Sequence, residues 1–278
     1  MPFKPLKNFA KASALALALS AGFTAAPAQA QGDLLVAPTR VVLEGSRGTQ
    51  VILSNIGSEE ATYRIGLELR RMLDNGRLEP VERVDANEAE ESALGMIRYA
   101  PRRITLPPGQ PQAVRLAARP GADLPDGEYR VHMSFKAIPR PRAATEEATG
   151  SEGLQIRLIP IYGVTIPIIV RQGRLEAQVA INQPRIEQGE DGLELVLAMS
   201  RSGDSSTYGV LQVTKPGVEQ PLMIMRGVAI YPEVENREVR VRVTPEQAAL
   251  FNGQLRIEYR EMPEDGGGLL AAVDTFIG

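Results

Sequence analysis

Residues 154–170 read LQIRLIPIYGVTIPIIV. Every second position is apolar or proline: Leu154, Ile156, Leu158, Pro160, Tyr162, Val164, Ile166, Ile168 and Val170. A period of two sends successive side chains to opposite faces, which marks a β-strand. The run is roughly three times the usual strand length of about 5–6 residues. So long an apolar strand is either buried in a sheet or lies at an edge where something pairs with it. Pro160 and Pro167 have no N–H for a ladder and place it at an edge. An apolar edge strand is a site where an extended peptide can add itself to a sheet.

The flanking sequence repeats the same period in shorter pieces. LLVAPTRVVLEG (34–45), TQVILSN (49–55), ATYRIGLEL (61–69), MIRYAPRRITL (96–106), QAVRLAA (112–118) and GEYRVHMSF (127–135) precede the long strand. Seven further runs follow it, from LEAQVAI (175–181) to LLAAVDTF (269–276). Turn residues separate them, as at Pro107-Pro108-Gly109 and Pro125-Asp126-Gly127. The pattern predicts an all-β fold of sandwich type. DANEAEES (85–92) reads as a solvated acidic loop, with a single helical turn as the alternative. Residues 138–153, rich in Pro, Ala, Thr and Glu, read as a mobile loop leading into the long strand. Gln172-Gly173 reads as a hinge between domains. Thr244-Pro245-Glu246-Gln247 carries an N-cap, a proline at the first helical position and Gln at the third, and predicts a short helical turn. LPDGEYRVHM (124–133) echoes LFNGQLRIEY (250–259), which suggests two related domains. In the first copy, Tyr129 after Asp126-Gly127 suggests a tyrosine corner.

The amino terminus reads as an export signal. Lys4, Lys7 and Lys11 form a basic start, Ala12–Ala26 is apolar, and Ala28-Gln29-Ala30 is a small-residue cleavage site. Residues 1–30 are therefore expected to be removed, and the mature chain to be exported. Setting aside those three lysines turns the net charge of −3 into −6. An acidic chain without a basic cluster gives no reason to propose nucleic-acid binding. There are no cysteines, so disulfide and thiol chemistry are excluded.

Enzymatic and metal chemistry find little support. His132 is the only histidine, on a face shared with Arg130, Ser134 and Lys136, and reads as solvated. One His and no Cys do not make the usual zinc sites, and no cofactor is implied. No H-E-x-x-H, G-x-S-x-G or phosphate loop occurs. Glu264 and Asp265 before Gly266–Gly268 read as a hairpin turn.

In order and spacing, these segments resemble the periplasmic chaperones of pilus assembly by the chaperone–usher pathway. The resemblance spans nearly all of the mature chain and is strongest in its first half. It rests on APTRVVLEG (37–45), VILSNIG (51–57), ITLPPGQPQAVRL (104–116), LPDGEYRVHMSFKAIP (124–139), and the long strand opening at LQI (154–156) and closing at Arg171. It implies two immunoglobulin-like sandwiches in tandem, 31–172 and 173–278, with a cleft between them. It also implies that the long strand is lent to a pilus subunit that lacks one, and that an outer-membrane usher is a further partner. The donor side chains would be Leu154, Ile156, Leu158 and Tyr162, with Pro160 in the same row. By periodicity alone these read equally well as the core of their own sandwich. Arg40 matches the family's first-strand arginine, which anchors the subunit's terminal carboxylate; without the resemblance it reads as a solvated strand residue. The family's second anchor, a lysine on the long strand, falls at Pro167 here. Arg171 reads as an ion-pair partner at the domain interface. The reading from another class is an exported structural or adhesive sandwich protein.

Overall fold

A computed structural model describes residues 34–44, 48–139 and 161–278. The expected leader (1–30) and the candidate donor residues Leu154, Ile156, Leu158 and Pro160 lie outside the described residues. The strands are β1 (Leu34–Ala37), β2 (Val41–Glu44), β3 (Gly48–Asn55), β4 (Ala61–Met72), β5 (Leu78–Val81), β6 (Ile97–Ala100), β7 (Arg103–Leu106), β8 (Pro111–Ala118), β9 (Gly127–Ile138), β10 (Gly163–Gln172), β11 (Ala177–Gly189), β12 (Gly192–Gly203), β13 (Thr207–Thr214), β14 (Met223–Ile230), β15 (Asn236–Arg242), β16 (Gly253–Glu261) and β17 (Leu269–Ile277). Two short helices, α1 (Glu88–Met96) and α2 (Pro245–Phe251), interrupt them.

The fold is all-β, with two sandwiches. In the first, a sheet in the order β1-β3-β8-β6 faces one in the order β2-β10-β9-β4-β5, to which β7 adds beside β4. In the second, β11-β12-β15 faces β14-β13-β16-β17. Alternation explains the first core: Val51, Leu53, Val114, Leu116, Val131, Met133, Phe135, Ile166, Ile168 and Val170 all point into it. The second is built on Leu195, Leu197, Leu211, Val213, Leu255, Ile257 and Tyr259. The two halves of the sequence echo occupy matching places. β9 starts at Gly127 and β16 at Gly253, and each is paired on both sides. The Tyr129 hydroxyl donates to the Pro125 carbonyl at 2.8 Å, as a tyrosine corner requires.

Prolines split two runs that read as single strands. LLVAPTRVVLEG becomes β1, paired with β3, and β2, paired in parallel with β10, so the chain changes sheets at Pro38. MIRYAPRRITL likewise divides at Pro101 into β6, beside β8, and β7, beside β4.

Two local expectations are corrected. The acidic segment 85–92 is not a loop throughout, because it opens α1. The Asn87 side chain accepts from the Glu90 N–H at 2.9 Å, and Glu90 returns a bond to the Asn87 N–H at 2.8 Å. This reciprocal cap satisfies two donors that a helix start leaves orphaned, while Ala93 and Met96 join the first core. At the second helix the Thr244–Gln247 pair makes the same box, as its sequence predicts.

His132 is not solvated: it is 1 % exposed. It lies on β9 with Glu68 of β4 opposite on one side and Pro167 of β10 on the other. Charged rims, not apolar ones, close over it: Glu68 bonds Arg70 and Lys136 across this face. Neither ring nitrogen has a partner among the described residues. Burial, reinforced by the charges of Arg130 and Arg70, pushes its pKa down from 6.5 to about 3. Below pH 6.5 the unfolded chain therefore binds a proton that the folded chain refuses, so acid favours unfolding.

All of the described chain belongs to one compact unit. The seam between the sandwiches shows why. Ile169 and Met72, on strands of the first sandwich, are buried in the second core, with Val42 and Leu78 packed against it.

Two outcomes follow from this packing. Stability, read from urea midpoints, should fall by up to ~1.4 kcal/mol per pH unit from about pH 6.5 to 4.5. His132→Leu should flatten that slope; an unchanged slope would mean another group is responsible. Ile169→Ala should cost about 2–5 kcal/mol, and a single cooperative melt should move down with it, because one side chain holds both sandwiches.

Candidate functional site

The backbone of β10 is used differently on its two sides. The Ala137 N–H donates to the Tyr162 carbonyl at 3.0 Å. In an antiparallel ladder this makes Tyr162 one of the residues bonded to β9, and every second residue after it does the same. Residues 163, 165, 167, 169 and 171 therefore turn their backbone groups away from β9. β2 covers that side only along Ile168–Arg171, in register with Val41–Glu44. Along Gly163–Pro167, no strand pairs with the outer side among the described residues. Pro167 sits in this row, so its missing N–H costs the β9 ladder nothing.

The side chains change role at the same place. Ile166, Ile168 and Val170 fill the first core, and Val164 packs against its margin. Two residues further back, Tyr162 is 52 % exposed and Ile161 62 %. The apolar row has thus left its own sandwich by Tyr162, although its periodicity in the sequence continues back to Leu154.

Where β2 takes over the edge, a cleft of ≈ 440 Å³ opens between the sandwiches. Arg40, just before β2, and Arg171, at the end of β10, both line it, with Ser206 and Tyr208 of the second sandwich opposite. The Arg40 guanidinium lies over the Tyr208 ring, 4.7 Å from its centroid, and Nη2 donates to Ser206 Oγ at 3.4 Å. Its buried Nε has no partner among the described residues. Burial lowers the pKa of Arg40, and the like charge of Arg171 acts the same way against Glu128 and Asp265. Arg171 donates from Nε to Glu128 Oε2 at 3.2 Å and from Nη2 to the Ser206 carbonyl at 3.1 Å. Glu128, with no exposed side-chain surface, also accepts from the Ser206 N–H at 3.0 Å and from its hydroxyl at 2.8 Å. β10 ends one residue beyond Arg171; at Gly173, with φ +79°, any β-carbon would collide with the Asp126 carboxylate.

This arrangement brings Arg40 and Arg171 together, with Tyr162 at the far end of the exposed edge. Glu128, Ser206 and Tyr208 were not legible as site residues. Glu128 and Ser206 lie 78 positions apart in the chain, and no local motif links them. Chemically, a partly desolvated, under-bonded guanidinium beside a second one suits a carboxylate. Among the described residues, no group of His, Cys, Asp and Glu could hold a metal ion, and no helix is long and apolar enough to cross a membrane.

No family model matches the chain, and no curated protein does. Many solved structures do. One is the CsuC–CsuE chaperone–tip adhesion subunit pre-assembly complex of the archaic Csu pili of Acinetobacter baumannii: 12 % identity over 88 % of this chain and 99 % of that one, TM-score 0.46. The class 5 fimbriae chaperone CfaA has 12 % identity over the same shares, TM-score 0.45. The CupB2 chaperone of Pseudomonas aeruginosa has 15 % identity over 88 % and 100 %, TM-score 0.44. The chain resembles these fimbrial chaperones.

Arg40→Met should leave thermal stability unchanged or raise it slightly, because it exchanges an under-bonded buried charge for an apolar side chain. Calorimetry checks this; a loss of several degrees would mean that Arg40 holds the fold together.

Proposed function

We propose that the chain is a periplasmic chaperone of the chaperone–usher kind, which holds a pilus-type subunit by pairing it with the outer edge of β10. The observation that carries this reading is the coincidence at one strand of an unpaired backbone edge and an apolar row that runs past its own core. Such an edge satisfies the backbone groups of an incoming strand, while the alternating side chains fill its pockets. Leu154, Ile156, Leu158 and Tyr162 would supply those side chains, each contributing roughly 1.5–3 kcal/mol when fully buried. The incoming strand would run along β10 to the point where β2 begins. There its terminal carboxylate meets Arg40, whose fork can take two hydrogen bonds.

Pro167 stands where the sequence resemblance calls for a lysine, so the anchor has one cation fewer on β10, and Arg171, four residues on, is the nearest strand cation to Arg40's cleft. The same reading takes 31–172 and 173–278 as the two domains, with 1–30 removed on export and an outer-membrane usher as a further partner. It requires neither a cofactor nor catalysis.

Co-expression with pilus-type subunits encoded nearby tests it. Thr165→Pro deletes one outward N–H while sparing the β9 ladder, and should lower subunit recovery about tenfold or more. Ile156→Asp with Leu158→Asp should abolish recovery, and Arg40→Met should lower it without loss of fold. Parent-level recovery with the first two variants would reject strand pairing and favour a structural or adhesive role, in which the chain itself accumulates at the cell surface.

A further inference from the structure

Arg201, on β12, is 6 % exposed, and its guanidinium bonds no carboxylate among the described residues. Backbone carbonyls hold its guanidinium instead. Nη1 donates to Gly203 O at 2.9 Å and Ser205 O at 3.0 Å; Nη2 donates to Pro232 O at 2.8 Å and Nε to Val234 O at 3.4 Å. One cation thus bridges two loops, 203–206 and 231–235, that are distant in sequence.

Both loops reach across to the first sandwich. The first delivers Ser206 to Glu128, Arg40 and the Arg171 guanidinium. The second delivers Tyr231, whose ring lies 3.6 Å from the Arg130 guanidinium, and Glu233. Glu233 pairs with Arg130 and accepts the Met72 N–H at 2.9 Å.

We propose that Arg201 is the positioning residue of the cleft: by tying these two loops together, it fixes the angle between the sandwiches and the setting of Ser206 and Tyr208 around Arg40. A guanidinium suits this task because its planar fork presents five donors in fixed directions, whereas a lysine ammonium is a point charge on a flexible stem. The proposal concerns the chain by itself and does not depend on what the cleft binds.

Because the chain contains no cysteine, spin labels can be placed uniquely, at Ala113→Cys on β8 and Ala272→Cys on β17, both exposed. The parent should give one narrow distance distribution between them. Arg201→Lys and Arg201→Met should at least double its width. Glu233→Gln leaves Arg201 and both loops in place and cuts one cross-sandwich contact; it should broaden the distribution as well, and it serves if the Arg201 variants do not fold. Leu197→Ala, which truncates a side chain of the second core and removes none of the bonds made by Arg201, should lower the melting temperature without changing the width. A parent distribution that is already broad would overturn the proposal. So would an Arg201→Met distribution as narrow as the parent's, or a Glu233→Gln one where the Arg201 variants do not fold, or equal broadening by Leu197→Ala, which would reduce Arg201 to a general stabiliser.

Discussion

Strand β10 serves four surfaces at once. Its even-numbered side chains close the first core, while Ile169 on the other face enters the second. Its even-numbered backbone groups bond β9, and the odd-numbered ones face β2 or the open edge. A strand can do this because its side chains and its hydrogen-bonding groups both alternate with period two. A shift of one residue would put Thr165 and Pro167 into the first core and turn Ile166 and Ile168 out of it, so the register is strongly determined. The position of the cleft, the limit of the open edge and the contact between the sandwiches all descend from that register.

The contact between the sandwiches is apolar at its centre and cationic around it. Arg40, Arg130, Arg171 and Arg201 each lose solvent there, and each is compensated differently: by an aromatic ring, by Tyr231 and Glu233, by Glu128, and by four carbonyls. Buried charges of this kind add little net stability, but their bonds are directional and can select one geometry over nearby ones. Arg40 is the member least well satisfied. Its buried Nε and that of Arg130 find no partner among the described residues.

Much of the architecture was legible because it rests on local rules. Alternation located nearly every strand, the Thr244–Gln247 box located α2, and Tyr129 announced its corner. The failures have physical causes. The helix after Asn87 was ranked below a loop because its acidic first turn resembles one, and only the reciprocal bond of Glu90 distinguishes it. The changes of sheet at Pro38 and Pro101 were invisible because an interrupted alternating run reads the same whether it continues in one sheet or crosses to another. His132 was misread because its strand neighbours are polar. Those neighbours pair with one another above it and exclude water more completely than their composition suggests.

For the site, the sequence by itself determined the apolar row and the prolines within it, since these depend only on period and on a missing N–H. It singled out Arg40 and Arg171 as separate residues. Only the tertiary structure decided that the two share a cleft, that β2 covers the edge as far as Ile168 and no farther, and that Ser206, Glu128 and the Arg201-bound loops surround them. Those relations join residues tens of positions apart through packing and register, which no local pattern encodes.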